Sequence, residues 1–158
     1  MRVRILTAAL LFAIAVPVQA QTPTYKLDPT SNKQYLADNA HKRGVVVLPD
    51  GLQYRVIKSG SGQKLQSPMD KVAVFYKGWM INGKVFDQTH GRPANFQPSS
   101  LIRGWSEALM RMREGDEWEL TVPAALAYGD RGAGNGLIPP GQTLVFDLAV
   151  VEVVAAPQ

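Results

Sequence analysis

A glycine-rich stretch, YGDRGAGNGLIPPGQTLVFD over residues 128–147, is the first candidate for chemistry, because glycine loops bind phosphates in many nucleotide-binding proteins. A phosphate loop of that kind follows a strand and opens a helix. Here Pro139 and Pro140 follow the glycines and an apolar run comes next, which predicts a strand. Asp130 would also repel an anion. We therefore expect no phosphate site in this loop.

The same loop carries two adjacent apolar side chains, Leu137 and Ile138, between the glycines and the prolines. Glycines permit tight turns, and prolines stiffen the exit of the loop. Two interpretations remain open. The pair forms an apolar lip over a binding pocket, or it packs down on the sheet as part of the core.

Metal-ligating and nucleophilic residues are sparse. The chain has no cysteine, which excludes disulfides and thiolate metal sites. His41 and His90 lie far apart in the sequence, so a metal site would have to recruit carboxylates. Ser99, His90 and Asp87 have the side chains of a catalytic triad, but no nucleophile-elbow motif accompanies them. We predict neither a metal cofactor nor a covalent mechanism.

The N-terminus has the three-part order of a secretory signal peptide. Arg2 and Arg4 precede the apolar run ILTAALLFAIAV, and Val18 and Ala20 occupy the −3 and −1 positions of a cleavage site. The run is shorter than the ~20 residues that a membrane span needs. We expect residues 1–20 to be removed on export, leaving a periplasmic or secreted chain without a membrane anchor.

The charge balance argues against a nucleic-acid partner. The formal net charge of the full chain is +4, from 17 basic and 13 acidic residues. Removing Arg2 and Arg4 with the signal peptide brings the mature chain closer to neutrality. No run of lysine or arginine forms a basic stripe, and we therefore predict no nucleic-acid binding.

Hydrophobic periodicity predicts the elements that position the candidate residues. Residues 21–30 are polar and are expected to form a flexible lead. Ser31 and Gln34 predict a capping box at the start of a short helix over residues 31–43, and Gly44 is a stop signal. Residues 21–43 are thus predicted to be a flexible lead and a helix ahead of the main domain.

Alternation with a period of two follows, which is typical of half-buried strands. Four sets of apolar residues each share one face of a strand: Leu52, Tyr54 and Val56; Val72, Val74 and Tyr76; Trp118, Leu120 and Val122; and Leu144, Phe146, Leu148 and Val150. Asn82-Gly83 predicts a tight hairpin whose two central residues both have positive φ.

One amphipathic helix interrupts the strands. Ile102, Trp105, Leu109 and Met112 recur at helical spacing in SSLIRGWSEALMRMREG, with a serine at residue 99 or 100 as the expected cap and a glycine at residue 115 as the stop. The pattern as a whole predicts an α+β domain with antiparallel strands and this helix packed on one face.

Four motifs in order, VFDQT, LIRGW, ALAYGDRG and GLIPPGQTLVFDL, resemble the FKBP-type peptidyl-prolyl cis-trans isomerases. The similarity extends from about Gly44 to Val153 and implies an isomerase domain over residues 44–155, with a tail over 156–158. It implies an antiparallel, strongly twisted sheet of four to six strands wrapped on one short helix. Residues 35–60 also resemble the junction in bacterial periplasmic members, where a helical dimerisation region meets the catalytic domain.

The resemblance implies rotation about X-Pro peptide bonds without a cofactor. It assigns four residues to catalysis: Tyr76, Asp87, Tyr128 and Phe146. It assigns seven to substrate binding: Phe86, Phe96, Leu101, Ile102, Trp105, Leu137 and Ile138. By similarity, Trp105 would form the floor of an apolar pocket, and the backbone N–H of Ile102 and the phenol of Tyr128 would donate to substrate carbonyls.

From the residues alone these assignments stay open. Aromatic residues at strand or helix spacing are usually core, and an aspartate that ends a hairpin often caps a turn. If Asp87 lies beside an apolar pocket, its carboxylate needs a hydrogen-bond partner, which Tyr76 or Arg92 could supply.

The resemblance also implies partners. These are unfolded or partly folded polypeptides that contain proline, macrolide inhibitors of the family, and a second copy of the chain if the helix over residues 31–43 mediates dimerisation. Two alternatives share the fold: a non-catalytic peptide-binding or chaperone module, and an interaction protein with a vestigial pocket.

Overall fold

The computed structural model describes residues 24–155, so the predicted signal peptide over 1–20 and tail over 156–158 lie outside the described residues. The described part forms two α-helices and seven strands: α1 Pro29–Ala40, β1 Val45–Val47, β2 Gln53–Lys58, β3 Lys71–Met80, β4 Val85–Gln88, β5 Ala94–Phe96, α2 Arg103–Arg111, β6 Glu117–Val122 and β7 Leu144–Val154. All strand pairs are antiparallel, in the order β1-β2-β6-β7-β3-β4, and β5 pairs with β3 as well.

The core lies between one face of the sheet and α2. The faces predicted for β3, β6 and β7 are confirmed, because their alternating apolar residues are buried: Val72, Val74, Trp118, Leu120, Val122, Leu144, Phe146, Leu148 and Val150. From α2, Trp105, Ala108 and Leu109 join the same cluster. Burying each large apolar side chain stabilises the fold by about 1.5–3 kcal/mol, so the alternation also fixes the strand register.

The sheet contains one strand more than the four to six expected, while its antiparallel α+β class is confirmed. Two strands that periodicity did not predict are short: β1 and β5 have three residues each. A three-residue strand shows too little alternation to be read from periodicity. Both lie at sheet margins, where β1 extends the β2 edge and β5 pairs with β3 near the start of that strand.

The β3–β4 hairpin lies where the Asn82-Gly83 pair predicted it, but its turn is of another type. Gly83 has a φ of +83°, whereas Asn82 is not among the described residues with positive φ. The N–H of Gly83 donates to the carbonyl of Met80 at 2.8 Å, and the N–H of Met80 donates to the carbonyl of Lys84 at 3.0 Å. This is a three-residue loop in which glycine takes the left-handed position.

Helix α1 begins two residues earlier than the predicted capping box. Its N-cap is Asp28, whose Oδ1 accepts a hydrogen bond from the N–H of Ser31 at 2.7 Å. Pro29 occupies the first helical position, where its fixed φ and missing N–H are favourable. The Gln34 amide donates to Asp38 at 2.7 Å and does not reach back to the N-cap.

Helix α2 is shorter than predicted at both ends. Its N-cap is Ile102 and no side chain caps it, while the two candidate serines lie in the short 3₁₀ turn Pro98–Ser100. The helix ends at Arg111, and Gly115 lies beyond it in a turn with a φ of +88°. Pro98 is buried and starts the 3₁₀ turn, which leaves the serines one turn ahead of the α-helix.

Candidate active site

An apolar cavity of about 240 Å³ opens where α2 begins beside the β3–β4 hairpin and β7. Its walls are mostly aromatic, and its lining consists of Tyr76, Phe86, Asp87, Phe96, Ser100, Leu101, Ile102, Trp105, Tyr128 and Phe146. The structure therefore brings together every predicted site residue except Leu137 and Ile138. Ser100 is the only lining residue that the sequence analysis did not assign, since a serine before a helix reads as a cap.

Trp105 lies at the centre of the aromatic group. Its ring contacts those of Tyr76, Phe96 and Phe146 edge to face, with centroids 5.1, 5.9 and 5.2 Å away. Phe86 meets Phe146 in the same way at 5.6 Å. Edge-to-face pairs stabilise such clusters beyond their buried area. The indole N–H of Trp105 is buried and has no hydrogen-bond partner among the described residues.

Gly78 makes room for two of these rings, and the sequence analysis missed it. It lies on β3 directly between Asp87 of β4 and Phe146 of β7. A Cβ at this position would stand 2.7 Å from Cζ of Phe86 and 2.8 Å from Cε1 of Phe146. A glycine inside an alternating strand often marks a close approach of another group. Gly78 in the segment KVAVFYKGWM could therefore have been identified from the sequence.

The hydrogen-bond partner of Asp87 is Tyr76. The Tyr76 phenol donates to Oδ2 of Asp87 at 2.7 Å, and the N–H of Gln88 donates to Oδ1 at 2.9 Å. Burial, and then the hydrogen bond to Asp87, raises the pKa of Tyr76 to about 12. The phenol therefore stays protonated and keeps donating to the carboxylate at neutral pH. Arg92, the alternative partner, is exposed on the loop after β4.

Besides the Trp105 indole N–H, two hydrogen-bond donors on cavity-lining residues have no acceptor in the described part of the chain. One is the Tyr128 phenol, whose pKa is raised by burial and then by the charge of Asp87, so that it remains protonated. The other is the backbone N–H of Ile102, which lies outside the hydrogen bonding of α2 because this residue is the N-cap. Both residues line the cavity, so both donors are available to a bound molecule.

Leu137 and Ile138, which the resemblance assigns to substrate binding, do not line the cavity. Ile138 is buried in the core and exchanges two backbone hydrogen bonds with Ala133, at 2.9 and 3.1 Å. Leu137 is 43% exposed. Ile138 therefore fits the core interpretation, while the lip interpretation of Leu137 stays a prediction. Gly132 has no side chain and lets the Ile138 carbonyl lie close against it.

A larger hollow of about 380 Å³ lies on the opposite side of the sheet. Much of its lining is charged and comes from four adjacent strands: Arg55, Lys77, Glu117, Glu119 and Asp147. Burial, and then the charge of Glu119, raises the pKa of Asp147. Arg55 and Glu119 pair at 3.3 Å. The smaller cavity is the better candidate, because its lining is mostly aromatic and carries a single charged side chain, Asp87, whereas five charged side chains line the larger hollow.

Between residues 24 and 155, no three histidine, aspartate or glutamate side chains are grouped so as to hold a metal ion. His41 contacts the carbonyl of Ala37 at 2.8 Å through Nδ1, and His90 is exposed. Over the same residues, neither helix has the length and apolar character that crossing a membrane requires.

Comparison with known proteins identifies the family. A protein-family model described as FKBP-type peptidyl-prolyl cis-trans isomerase matches residues 62–151, which is more than half of the chain. A second model, described as the domain amino terminal to FKBP-type peptidyl-prolyl isomerase, matches residues 12–56. The chain belongs to the FKBP-type peptidyl-prolyl cis-trans isomerase family.

Two curated relatives are similar over most of the chain. It is 49% identical over 121 residues to outer membrane protein MIP of Legionella longbeachae, covering 75% of this chain and 51% of the relative. It is 48% identical over 122 residues to the FKBP-type 22 kDa peptidyl-prolyl cis-trans isomerase of Escherichia coli K12, covering 76% of this chain and 58% of the relative. The chain thus spans about half the length of the curated relatives it matches.

Solved structures agree with the fold. A peptidyl-prolyl cis-trans isomerase from Pseudomonas syringae pv. tomato superposes with a TM-score of 0.74 at 36% identity, covering 80% of this chain and 92% of that one. FkpA from Escherichia coli superposes with a TM-score of 0.76 at 38% identity, covering 81% of this chain and 60% of FkpA.

Proposed function

We propose that this chain is a peptidyl-prolyl cis-trans isomerase that accelerates rotation about X-Pro bonds. The observation that carries the proposal is the aromatic cavity, in which a central tryptophan contacts three other rings and uncommitted donors lie at the rim. Membership of the family supports the same activity.

The reaction suits such a cavity. Rotation about a peptide bond meets a barrier of about 18–20 kcal/mol, because the amide loses its resonance as it twists. The planar amide separates charge between nitrogen and oxygen, and the twisted amide does so less. An apolar, water-poor site therefore destabilises the planar ground state relative to the twisted transition state. No bond is broken, so binding groups alone are sufficient.

Each lining residue has a proposed role. Trp105 forms the floor on which the proline ring packs, with Phe86, Phe96, Leu101 and Phe146 around it. The backbone N–H of Ile102 and the phenol of Tyr128 donate to substrate carbonyls on either side of the proline. Asp87 orients Tyr76 through their 2.7 Å hydrogen bond. Leu137, exposed on the neighbouring loop, contacts residues that flank the proline, and Ile138 supports that loop from the core.

The site of action that we propose is outside the cytoplasm. Residues 1–20 have the pattern of a signal peptide, and one relative is named an outer membrane protein. The substrates would then be exported polypeptides whose folding waits on slow X-Pro isomerisation. In this arrangement residues 21–43 precede an isomerase domain over 44–155, and macrolides of the family bind the same cavity as the substrate proline.

A protease-coupled assay tests this function. Peptides that differ in the residue before proline are mixed with a protein that comprises residues 21–158. A protease cleaves only the trans form of the peptide, so the cleavage rate reports the isomerisation rate. We expect acceleration that rises with enzyme concentration and is blocked by a macrolide. A chain that binds proline peptides without accelerating the exchange would instead be the non-catalytic peptide-binding module.

A further inference from the structure

The two buried side chains of helix α1 are amides, while its apolar residues Tyr35 and Leu36 are only half-buried. Asn32 and Asn39 are seven residues apart and therefore lie on one side of the helix. They are 5% and 2% exposed, whereas Lys33, Gln34 and Asp38 face solvent. Buried amides need hydrogen-bond partners. The side-chain N–H groups of the two asparagines find them in different parts of the domain, whereas Oδ1 of Asn39 has none among the described residues.

Asn39 binds the sheet. Its Nδ2 donates to Oε1 of Gln53 at 2.8 Å and to Oγ1 of Thr121 at 3.1 Å. Gln53 in turn donates to the carbonyl of Leu36 at 2.9 Å. By strand alternation, Thr121 points to the face opposite Leu120 and the core. None of these partners lines the aromatic cavity.

Asn32 binds the exit of the long glycine loop. Its Oδ1 accepts from the backbone N–H of Thr143 at 2.7 Å, and its Nδ2 donates to Oε1 of Gln142 at 3.2 Å. The Gln142 amide donates onward to the carbonyls of Pro140 and Leu27, at 3.1 and 3.3 Å. This asparagine therefore ties α1 to the last residues of the loop.

The loop exit is hydrogen-bonded to the loop entrance. The N–H of Gly141 donates to the carbonyl of Gly129 at 2.9 Å, and Gly129 directly follows the cavity residue Tyr128. The glycines of this loop lie at positive φ, namely Gly129, Gly132, Gly134, Gly136 and Gly141. Such a loop loses much backbone entropy on ordering, so its geometry depends on fixed anchors at its ends.

We propose that α1 acts as a brace, and that Asn32 is a positioning residue that holds Tyr128 through the loop exit. The path runs from Asn32 to Gln142 and Thr143, then through Gly141 to the residue beside Tyr128. The effect on the loop follows from these contacts alone, while the effect on catalysis rests on the proposed isomerase function.

The test compares Asn32→Leu with Asn39→Leu, a matched control on the same helix with similar burial. The exchange rates of individual backbone amides are measured in both variants by hydrogen exchange. In Asn32→Leu the amides of Ala133, Ile138 and Gly141 exchange about tenfold faster, the change expected from losing about one buried hydrogen bond. In Asn39→Leu they keep their protection. Equal acceleration in both variants overturns the specific role of Asn32, and no acceleration in the loop of Asn32→Leu overturns the brace.

Activity provides the second readout, in a double-mutant cycle with Tyr128→Phe. Asn32→Leu lowers kcat/KM by about tenfold, and Asn39→Leu leaves it within about twofold. In the Tyr128→Phe background the Asn32→Leu change has little further effect, because the group that it positions is already gone. Full additivity would make Asn32 a purely structural residue. If the unmodified chain shows no isomerase activity, the proposed function fails while the exchange comparison still decides the brace.

A measurement on the unmodified chain covers the case in which Asn32→Leu does not fold. The acceptor of the Thr143 N–H is a side chain of α1, so this amide should open whenever α1 detaches. When hydrogen exchange is measured at increasing denaturant, we expect the Thr143 amide and the amides of α1 to open with the same free energy. A Thr143 amide that stays protected after α1 has exchanged would overturn the proposal.

Discussion

At the scale of single residues, the proposed site contains one buried tryptophan and one phenol–carboxylate pair. Trp105 is 4% exposed and contacts three other rings. Asp87 accepts the phenol hydrogen of Tyr76 at the same cavity. In the proposed mechanism the tryptophan keeps water from the floor of the cavity and the pair supplies a fixed polar edge, so changes at either should affect catalysis more than folding.

Replacing the floor of the cavity should separate activity from stability. We expect Trp105→Leu to lower kcat/KM by at least about tenfold, because the proline would lose its apolar surface. The Trp105→Leu change should lower the free energy of unfolding by less than Trp→Ala changes do, which typically cost about 3–5 kcal/mol. Trp118→Leu is the control, since this tryptophan is also buried but stacks on Tyr54 away from the cavity. A smaller activity loss in Trp105→Leu than in Trp118→Leu would remove Trp105 from the mechanism.

The phenol–carboxylate pair can be tested by titration. The pKa of Tyr76 is raised to about 12, so its contribution to stability is complete below about pH 10 and is lost as pH rises through 12. We expect Asp87→Asn to lower this pKa and to reduce activity more than stability. Phenolate absorbance, with Tyr76→Phe subtracted, follows the group. An unchanged Tyr76 titration together with an unchanged rate would make Asp87 a turn residue.

At the scale of elements, the strands were predictable and their ends were not. Alternation identified the buried faces of β3, β6 and β7 because burial acts on every second residue of a strand. The sequence offers two N-caps for α1. The structure uses Asp28, followed by Pro29 at the first helical position, and not the Ser31 capping box. The loop side chains could not be assigned, because the backbone approach at Gly132 involves residues that periodicity does not connect.

The pairing of β3 with β7 at Gly78 offers a test at this scale. Gly78→Ala places a methyl group against Phe86 and Phe146, and overpacking of this kind costs about 1–3 kcal/mol. The two rings must move, so we expect kcat/KM to fall while the protein remains folded. Activity and thermal unfolding are measured together. A variant with full activity would show that the positions of these rings do not limit catalysis.

At the scale of the whole molecule, motifs from distant segments predicted the family and most of the cavity. VFDQT, LIRGW, ALAYGDRG and GLIPPGQTLVFDL contribute to β4, α2, the loop and β7, which the fold brings into contact. The docking of α1 was not predictable, because its anchors are buried amides in a helix that reads as polar. The dimerisation role suggested for residues 31–43 stays a prediction.

Sedimentation addresses that role. The buried side of α1 is occupied by the sheet, and its solvent side carries Thr30, Lys33, Gln34 and Asp38. Stable dimers bury apolar surface, which this side does not offer. We expect residues 21–158 to sediment as a monomer over a range of concentrations. A concentration-dependent dimer that disappears when residues 21–43 are removed would establish dimerisation through the helix.

Whether X-Pro rotation takes place in the aromatic cavity can be measured by magnetisation-exchange NMR on a proline peptide mixed with isotope-labelled residues 21–158. We predict exchange between the cis and trans peptide signals at substoichiometric protein, together with shifts of the Trp105 indole N–H and the Ile102 amide. The Trp118 indole should not shift. Accelerated exchange without a change at Trp105, or peptide binding at Trp105 without exchange, would contradict catalysis by this cavity.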